Sequence, residues 1–218
     1  AIALRPNNPE AYSNLGVALK DKGQLDEAIA AHQRAIALRP NFPAAHVNFG
    51  NALKDQNQLD EAISAFRQAI ALRPNYFEAH NNLANALVDG GQLDEGIASY
   101  REAMSLRPDL SQIHSNLIYT LHFHPAYDAV AIAEEHGAWN RKFAAPLRRS
   151  LRAHGNDRDP DRRLRIGYVS PDFREQAESY FVVPLFEAHD RSRYEIHAYA
   201  SVARPDRVTE RLRRTASV

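Results

Sequence analysis

An internal repeat restricts the fold of this chain more than any other feature. The dipeptide Arg-Pro recurs every 34 residues, at Arg5-Pro6, Arg39-Pro40, Arg73-Pro74 and Arg107-Pro108. A period of this length is typical of one supersecondary unit that cannot bury its apolar face alone. Neighbouring units therefore have to stack into a superhelix, whose concave groove is the predicted functional surface.

The pattern within one period predicts a pair of helices. Asn8 followed by Pro9 is typical of a helix start, because Asn caps the free amides and Pro has no amide to satisfy at the first position. A second helix is expected over about 26–38, and Pro40 ends it. Together, the period and this pattern resemble the tetratricopeptide repeat.

We expect three full helix pairs, at roughly 8–40, 42–74 and 76–108, and a further first helix at 110–122. A helix from Tyr127 to Leu151 should follow. Residues 1–6 match the end of a second helix, which indicates an earlier repeat before them.

A second kind of structure is predicted after a polar stretch. Residues 154–163 are rich in charge and chain-breaking residues, as linkers are. Beyond them Leu164–Ser170 and Tyr194–Ala200 have the composition of strands, with a helix between them over 179–189. This order predicts a right-handed parallel βαβ unit, and 205–214 begins another helix.

Composition excludes several functions. Lys plus Arg and Asp plus Glu both number 27, so bulk charge favours neither nucleic acid nor a membrane surface as a partner. The chain has no cysteine, which excludes disulfides, thiolate catalysis and Cys-ligated zinc. It has no apolar run long enough for a membrane span and no signal-peptide pattern, so we expect a cytoplasmic location.

The second segment carries a family resemblance. The residues from Leu164 to Arg174 resemble the opening of the catalytic region of the O-GlcNAc transferase and SPINDLY family. The likeness continues downstream. It also reaches upstream, to the junction between the repeats and the catalytic region in the bacterial members of the family. The further matching residues are Phe181, Pro184, Asp190-Arg191, Tyr194-Glu195, Leu121-His122-Phe123-His124-Pro125 and Ala145-Pro146-Leu147.

The resemblance implies a fold and a domain order. The fold class is an all-α tetratricopeptide superhelix followed by a partial Rossmann-like α/β unit of a two-lobed glycosyltransferase. The repeats occupy 1–125, a helical junction 126–153, the linker 154–163, and the truncated N-terminal part of the catalytic domain 164–218. We expect that domain to continue beyond Val218.

The same resemblance implies an activity. Family members transfer N-acetylglucosamine from UDP-GlcNAc, or fucose in SPINDLY relatives, to Ser or Thr of proteins. The reaction inverts the anomeric carbon and needs no metal and no cofactor. The protein is thus expected to bind a nucleotide sugar and a protein or peptide acceptor, while this chain alone is expected to be inactive.

A sugar-nucleotide edge is expected where the first strand ends. In open parallel sheets ligands bind at the carboxyl ends of the strands, which places Ser170, Pro171, Asp172 and Phe173 there. The family carries a histidine where this sequence has Gln176. An amide cannot accept a proton near neutral pH, so the catalytic base stays unassigned.

Four asparagines recur with the repeat. In the family, groove asparagines, one per repeat, bind the backbone of the acceptor polypeptide, and the matching residues here are Asn14, Asn48, Asn82 and Asn116. An amide suits this role, because it presents both a donor and an acceptor to any peptide group. The alternative is that these side chains only pack the first helices of neighbouring repeats together.

Other polar residues receive structural interpretations. His46, His80 and His114 also recur but lie at a packing position. The pair His122 and His124 is not expected to bind metal, and Asp157 with Asp159 is expected to be a solvated loop.

The alternative function for the whole chain is a non-catalytic repeat scaffold that binds proteins. A clamp for chaperone tails is a disfavoured form of it. Such clamps need lysines in the groove, and the only lysines of the repeats, Lys20, Lys22 and Lys54, are expected near the ends of first helices and in loops.

Overall fold

The computed structural model describes residues 7–150, 155, 157 and 159–216. The chain divides into two compact units, Ala1–Leu151 and Arg152–Val218. The predicted helix end at 1–6 lies outside the described residues, as do parts of the predicted linker.

The first unit is a series of antiparallel helix pairs. The first helices of the pairs, called helices A, begin at intervals of 34 residues, and Asn8 caps the first of them by accepting from the Ala11 amide at 3.0 Å. The second helices are called helices B. The helices are α1 (Pro9–Asp21), α2 (Leu25–Leu38), α3 (Pro43–Asp55), α4 (Leu59–Leu72), α5 (Phe77–Asp89), α6 (Leu93–Leu106) and α7 (Ser111–Leu121).

Close approach of helix A and helix B depends on small residues. Gly50 of α3 lies against the ring of Phe66 in α4, where a β-carbon on Gly50 would come within 2.6 Å of Cε1. Phe66 is fully buried, as are Ala62 and Ala69 on the same helix. One core therefore runs continuously through neighbouring repeats.

Helices A lie on the inner side of the stack. Successive helices A contact each other, α1 with α3 and α3 with α5. Repeated ion pairs join them, from Lys20 Nζ to Asp55 Oδ2 at 3.0 Å and from Lys54 Nζ to Asp89 Oδ2 at 3.4 Å. Helices A therefore line the side of the stack on which the repeat predicts a concave groove.

The helix expected from Tyr127 to Leu151 is shorter than predicted. Helix α8 spans Ala129–Trp139, with Asp128 as its cap, and a π-helical turn and a 3-10 turn follow over Asn140–Ala144 and Ala145–Ser150. The described residues thus stay helical from Ala129 to Ser150 but change helix type at Asn140. Within the last part, Pro146 has no backbone amide to donate to an α-helical hydrogen bond.

The second unit is a parallel βαβ arrangement with one more helix. Strand β1 (Leu164–Ser170) pairs with β2 (Tyr194–Ala200) in parallel, as the sequence predicts. The register runs from Leu164–Tyr194 to Ser170–Ala200. Helix α9 (Ser179–Ala188) connects the strands, and α10 (Arg207–Thr215) follows. The core is formed by Phe173, Val183, Phe186, Ile196 and Leu212.

These two units confirm the predicted fold class, a tetratricopeptide superhelix followed by a small α/β unit. Of the helices in the described part of the chain, none has the length and apolar character needed to cross a lipid bilayer.

Candidate functional site

The four recurring asparagines lie at equivalent positions on successive helices A. Asn14 is exposed, and Asn48, Asn82 and Asn116 are half-buried. The repeat therefore places one of these four side-chain amides, together called the asparagine ladder, on each of α1, α3, α5 and α7.

The ladder amides also bond within the protein. Asn48 Nδ2 donates to Ser13 Oγ at 3.2 Å, and Asn82 Nδ2 donates to Asn51 Oδ1 at 3.0 Å, so both join one helix A to the preceding one. Asn116 Oδ1 instead accepts from Gln112 Nε2 at 2.9 Å. The packing alternative thus has direct support, while a carbonyl oxygen with two lone pairs leaves capacity for a peptide. Peptide binding by the ladder stays a prediction.

Asparagines that sequence reasoning missed extend this polar surface. Asn51 and Asn85 lie three residues after Asn48 and Asn82, which puts them on the same helix face. The Oδ1 atom of Asn85 accepts from the Tyr100 hydroxyl at 2.5 Å. The signal was available in the sequence, because these residues also repeat at 34.

The recurring histidines have internal partners. His46 Nε2 donates to the Pro40 carbonyl at 2.9 Å, and His80 Nε2 donates to the Pro74 carbonyl at 2.8 Å. The buried His114 lies 2.7 Å from Glu135 Oε1 of α8 instead. These contacts support the structural interpretation of all three side chains.

The other polar pairs singled out in the sequence do not converge. His122 Nε2 lies 3.4 Å from His136 Nε2, whereas His124 Nε2 bonds Asp94 Oδ1 at 3.0 Å. Across the described residues, no group of three or more His, Cys, Asp or Glu is arranged to hold a metal ion.

The acidic pair in the predicted linker has local partners. The carboxylates of Asp157 and Asp159 accept from the backbone amides of Asp159 and Asp161 at 3.0 and 2.9 Å. Such bonds are typical of a local turn.

Polar side chains converge where β1 ends. Ser170 Oγ accepts from the Asp172 amide at 3.0 Å, which turns the chain at the exposed Pro171. Asp172 Oδ1 then accepts from Gln176 Nε2 at 3.0 Å and from an Arg174 guanidinium nitrogen at 3.3 Å. This bonding leaves Gln176 Oε1 as an available acceptor beside the strand end.

The side chain of Phe173 faces away from this edge. It is only 5% exposed, and its ring makes an edge-to-face contact with Phe186 at 5.7 Å between centroids. The ring therefore belongs to the core of the unit, and only the backbone of Phe173 is left at the predicted edge.

Helix α10 holds the turn in place, a feature that sequence reasoning missed. Asp206 accepts from the Glu175 amide at 2.6 Å and from the Val208 amide at 2.9 Å, and Thr209 Oγ1 donates to the Phe173 carbonyl at 2.6 Å. The bond from the Glu175 amide is the main cause that lowers the pKa of Asp206. The sequence signal was Asp206 and Thr209 at capping-box spacing.

Comparison with known proteins agrees with this architecture. Tetratricopeptide repeat models match residues 1–30, 18–56, 50–89 and 77–110. A solved structure of a mutant O-GlcNAc transferase from Thermobaculum terrenum matches 95% of this chain at 35% identity with a TM-score of 0.74. Repeats followed by this α/β unit define the class of tetratricopeptide-bearing glycosyltransferases. The chain belongs to glycosyl transferase family 41, whose model matches residues 105–216.

Curated relatives give the same assignment. Two of them are described as probable UDP-N-acetylglucosamine--peptide N-acetylglucosaminyltransferase SPINDLY, from Petunia hybrida at 36% identity and Solanum lycopersicum at 38%, each over 80 residues and 37% of this chain. The chain spans 8% of the length of these relatives and 40% of the Thermobaculum protein. The resemblance seen in the sequence is thereby confirmed.

Proposed function

We propose that this chain is the acceptor-binding and initial donor-binding part of a protein O-GlcNAc transferase. The enzyme would transfer GlcNAc from UDP-GlcNAc to Ser or Thr of polypeptides held in the repeat groove, and would do so in the cytoplasm. One observation carries the proposal: the match to an O-GlcNAc transferase runs through 95% of the chain and so includes both units.

The acceptor polypeptide is assigned to the helix A surface. Asn14, Asn48, Asn82 and Asn116 offer one amide per repeat, and a peptide group needs one donor and one acceptor. Such contacts recognise backbone and not sequence, which supports a broad range of acceptors.

The nucleotide sugar is assigned to the end of β1, which supplies the polar turn from Ser170 to Gln176. Gln176 Oε1 can accept a hydrogen bond from a sugar hydroxyl, while its Nε2 is held by Asp172. Because an amide cannot take a proton near neutral pH, the acceptor hydroxyl loses its proton to another group.

The proposed reaction inverts the sugar. The hydroxyl oxygen attacks the anomeric carbon as the bond to UDP breaks, and the diphosphate leaves with the electron pair. Basic side chains and helix N-termini would stabilise its charge without a metal.

The test uses the full-length protein that contains this chain. We expect it to glycosylate protein acceptors with UDP-GlcNAc, and Asn48→Ala/Asn82→Ala to raise the KM for acceptor while leaving slow UDP-GlcNAc hydrolysis unchanged. The matched control is Gln68→Ala, an exposed amide on helix B. A fucose nucleotide is tested in parallel. Transfer of fucose but not of GlcNAc would show that the donor is a fucose nucleotide and not UDP-GlcNAc.

A non-catalytic scaffold is the second candidate, and Gln176 in place of the family histidine is the observation that favours it. Full-length protein that binds peptides but neither transfers nor hydrolyses the nucleotide sugar would support it. The 218-residue chain by itself is expected to bind polypeptide weakly and to show no turnover.

A further inference from the structure

The inner face changes its chemistry at the fourth helix A. Three and seven residues after each ladder asparagine, the first three helices carry Val17 and Asp21, Asn51 and Asp55, and Asn85 and Asp89. At the equivalent positions α7 and the turn after it carry Tyr119 and Phe123. An acidic position in three repeats thus becomes aromatic in the fourth.

These two aromatic side chains are exposed and ordered against each other. Tyr119 is 65% exposed and Phe123 59%, and their rings form an edge-to-face pair with centroids 5.0 Å apart. Large apolar side chains that are exposed side by side mark interaction sites more often than scattered ones do.

A pocket of about 330 Å³ opens beside Tyr119, between α7 and α8. Its walls are mainly aromatic, with the rings of Tyr119, His122, His136 and Trp139. Aromatic walls prefer an aromatic guest, because offset and edge-to-face ring contacts add to the burial of apolar area.

The pocket is continuous with the predicted peptide path. Asn116 and Tyr119 are one helical turn apart on α7. The ring of Phe123, from the turn after α7, contacts the ring of Tyr119. A polypeptide held by the ladder up to Asn116 would reach the aromatic pair next.

We propose that Tyr119, Phe123 and the adjoining pocket select acceptor polypeptides that carry an aromatic side chain at this end of the groove. This inference rests on the proposed acceptor role of the groove and deepens it. The ladder would bind any backbone, whereas the aromatic site would rank acceptors and fix their position.

The experiment measures binding to the 218-residue chain by fluorescence anisotropy. The probes are a labelled Ser/Gly/Thr peptide with one central Phe and the same peptide with Ser at that place. We expect the Phe peptide to bind about fivefold more tightly, the size of effect that aromatic contacts produce.

Substitutions test whether Tyr119 and Phe123 cause the preference for the Phe peptide. Tyr119→Ala/Phe123→Ala should make the two affinities equal without weakening the Ser peptide, and both side chains are exposed enough for the fold to tolerate the change. Tyr119→Phe should retain the preference. The matched control, Val130→Ala, removes a side chain that is 67% exposed on α8 and should change neither affinity.

The outcomes separate this inference from the proposed function. If both peptides bind equally, or if the preference survives the double alanine variant, the aromatic site is overturned while the groove stands. If neither peptide binds, the acceptor role of the groove and the aromatic site both fail.

Discussion

His32 of α2 lies directly against Gly16 of α1, where a β-carbon on Gly16 would come within 2.5 Å of the imidazole Cε1. Phe66 and Tyr100 hold the equivalent position in the next two repeats. His32 is fully buried, and neither ring nitrogen has a hydrogen-bond partner among the described residues. Burial first, and the charge of Lys20 second, lower the pKa of His32 from 6.5 to about 4.

This histidine should make the repeats sensitive to acid. Since the pKa of His32 is lower in the folded state, the unfolded chain takes up its proton first as pH falls. The corresponding stability is fully present above pH 6.5 and is lost as the pH approaches 4. The loss is on the order of 2–3 kcal/mol.

His32→Phe should remove that part of the pH dependence and stabilise the fold at every pH. The measurement is urea denaturation followed by helical circular dichroism, for both proteins at pH 7 and at about pH 4.5, where His32 still differs in protonation between folded and unfolded chains. Carboxylates contribute equally to both proteins, so the difference between them isolates His32. Parallel pH profiles for the two proteins would contradict this account.

The packing of α3 against α4 in the second repeat should not tolerate an added carbon at Gly50. Gly50→Ala would force a β-carbon against the Phe66 ring, and overpacking of this kind costs about 1–3 kcal/mol. Gly90→Ala is the control, because the nearest atom to its added β-carbon is 3.4 Å away. The urea midpoint should fall for Gly50→Ala only; an equal fall for both variants would show that helix contact is not the cause.

These positions also show what the sequence could predict. The repeat of Arg-Pro and of Asn14, Asn48, Asn82 and Asn116 predicts the helix pairs and their inner face, because a repeat of this length buries its apolar face by stacking on its neighbours. Local pattern cannot show that Asn48 and Asn82 donate to the helix A of the preceding repeat, since their partners Ser13 and Asn51 lie about one repeat earlier in the sequence. It also misplaces Phe173, because a residue just after a strand can face either the core or the ligand edge.

The junction helix should depend on one buried contact. Glu135→Ala would remove the carboxylate 2.7 Å from His114 Nε2 and leave a buried ring nitrogen without a partner, at a cost of about 1–3 kcal/mol. Hydrogen exchange in α8 should then accelerate, while exchange in α3 and α4 stays unchanged. Glu134→Ala, an exposed neighbour, should have no effect; an equal effect would assign the change to helix propensity.

The contacts from α10 should order the turn after β1. Asp206→Ala removes the acceptor of the Glu175 amide, so amide exchange over 171–178 should become roughly five- to tenfold faster, equivalent to losing one helix cap. Glu210→Ala on the same helix serves as the control. If the proposed transferase activity holds, Asp206→Ala in the full-length protein should raise the KM for UDP-GlcNAc more than it lowers kcat. An unchanged KM would show that the turn after β1 is not part of the donor site.

The most direct test of the central claim is mass spectrometry of a protein acceptor after incubation of the full-length protein with UDP-GlcNAc. Natural protein and Gln176→His are compared. We expect both to add GlcNAc to Ser or Thr, because the proposed mechanism does not use residue 176 as the base. If neither protein modifies the acceptor, the transferase assignment is contradicted. Modification by Gln176→His alone would instead show that the natural protein is a scaffold built from a former enzyme.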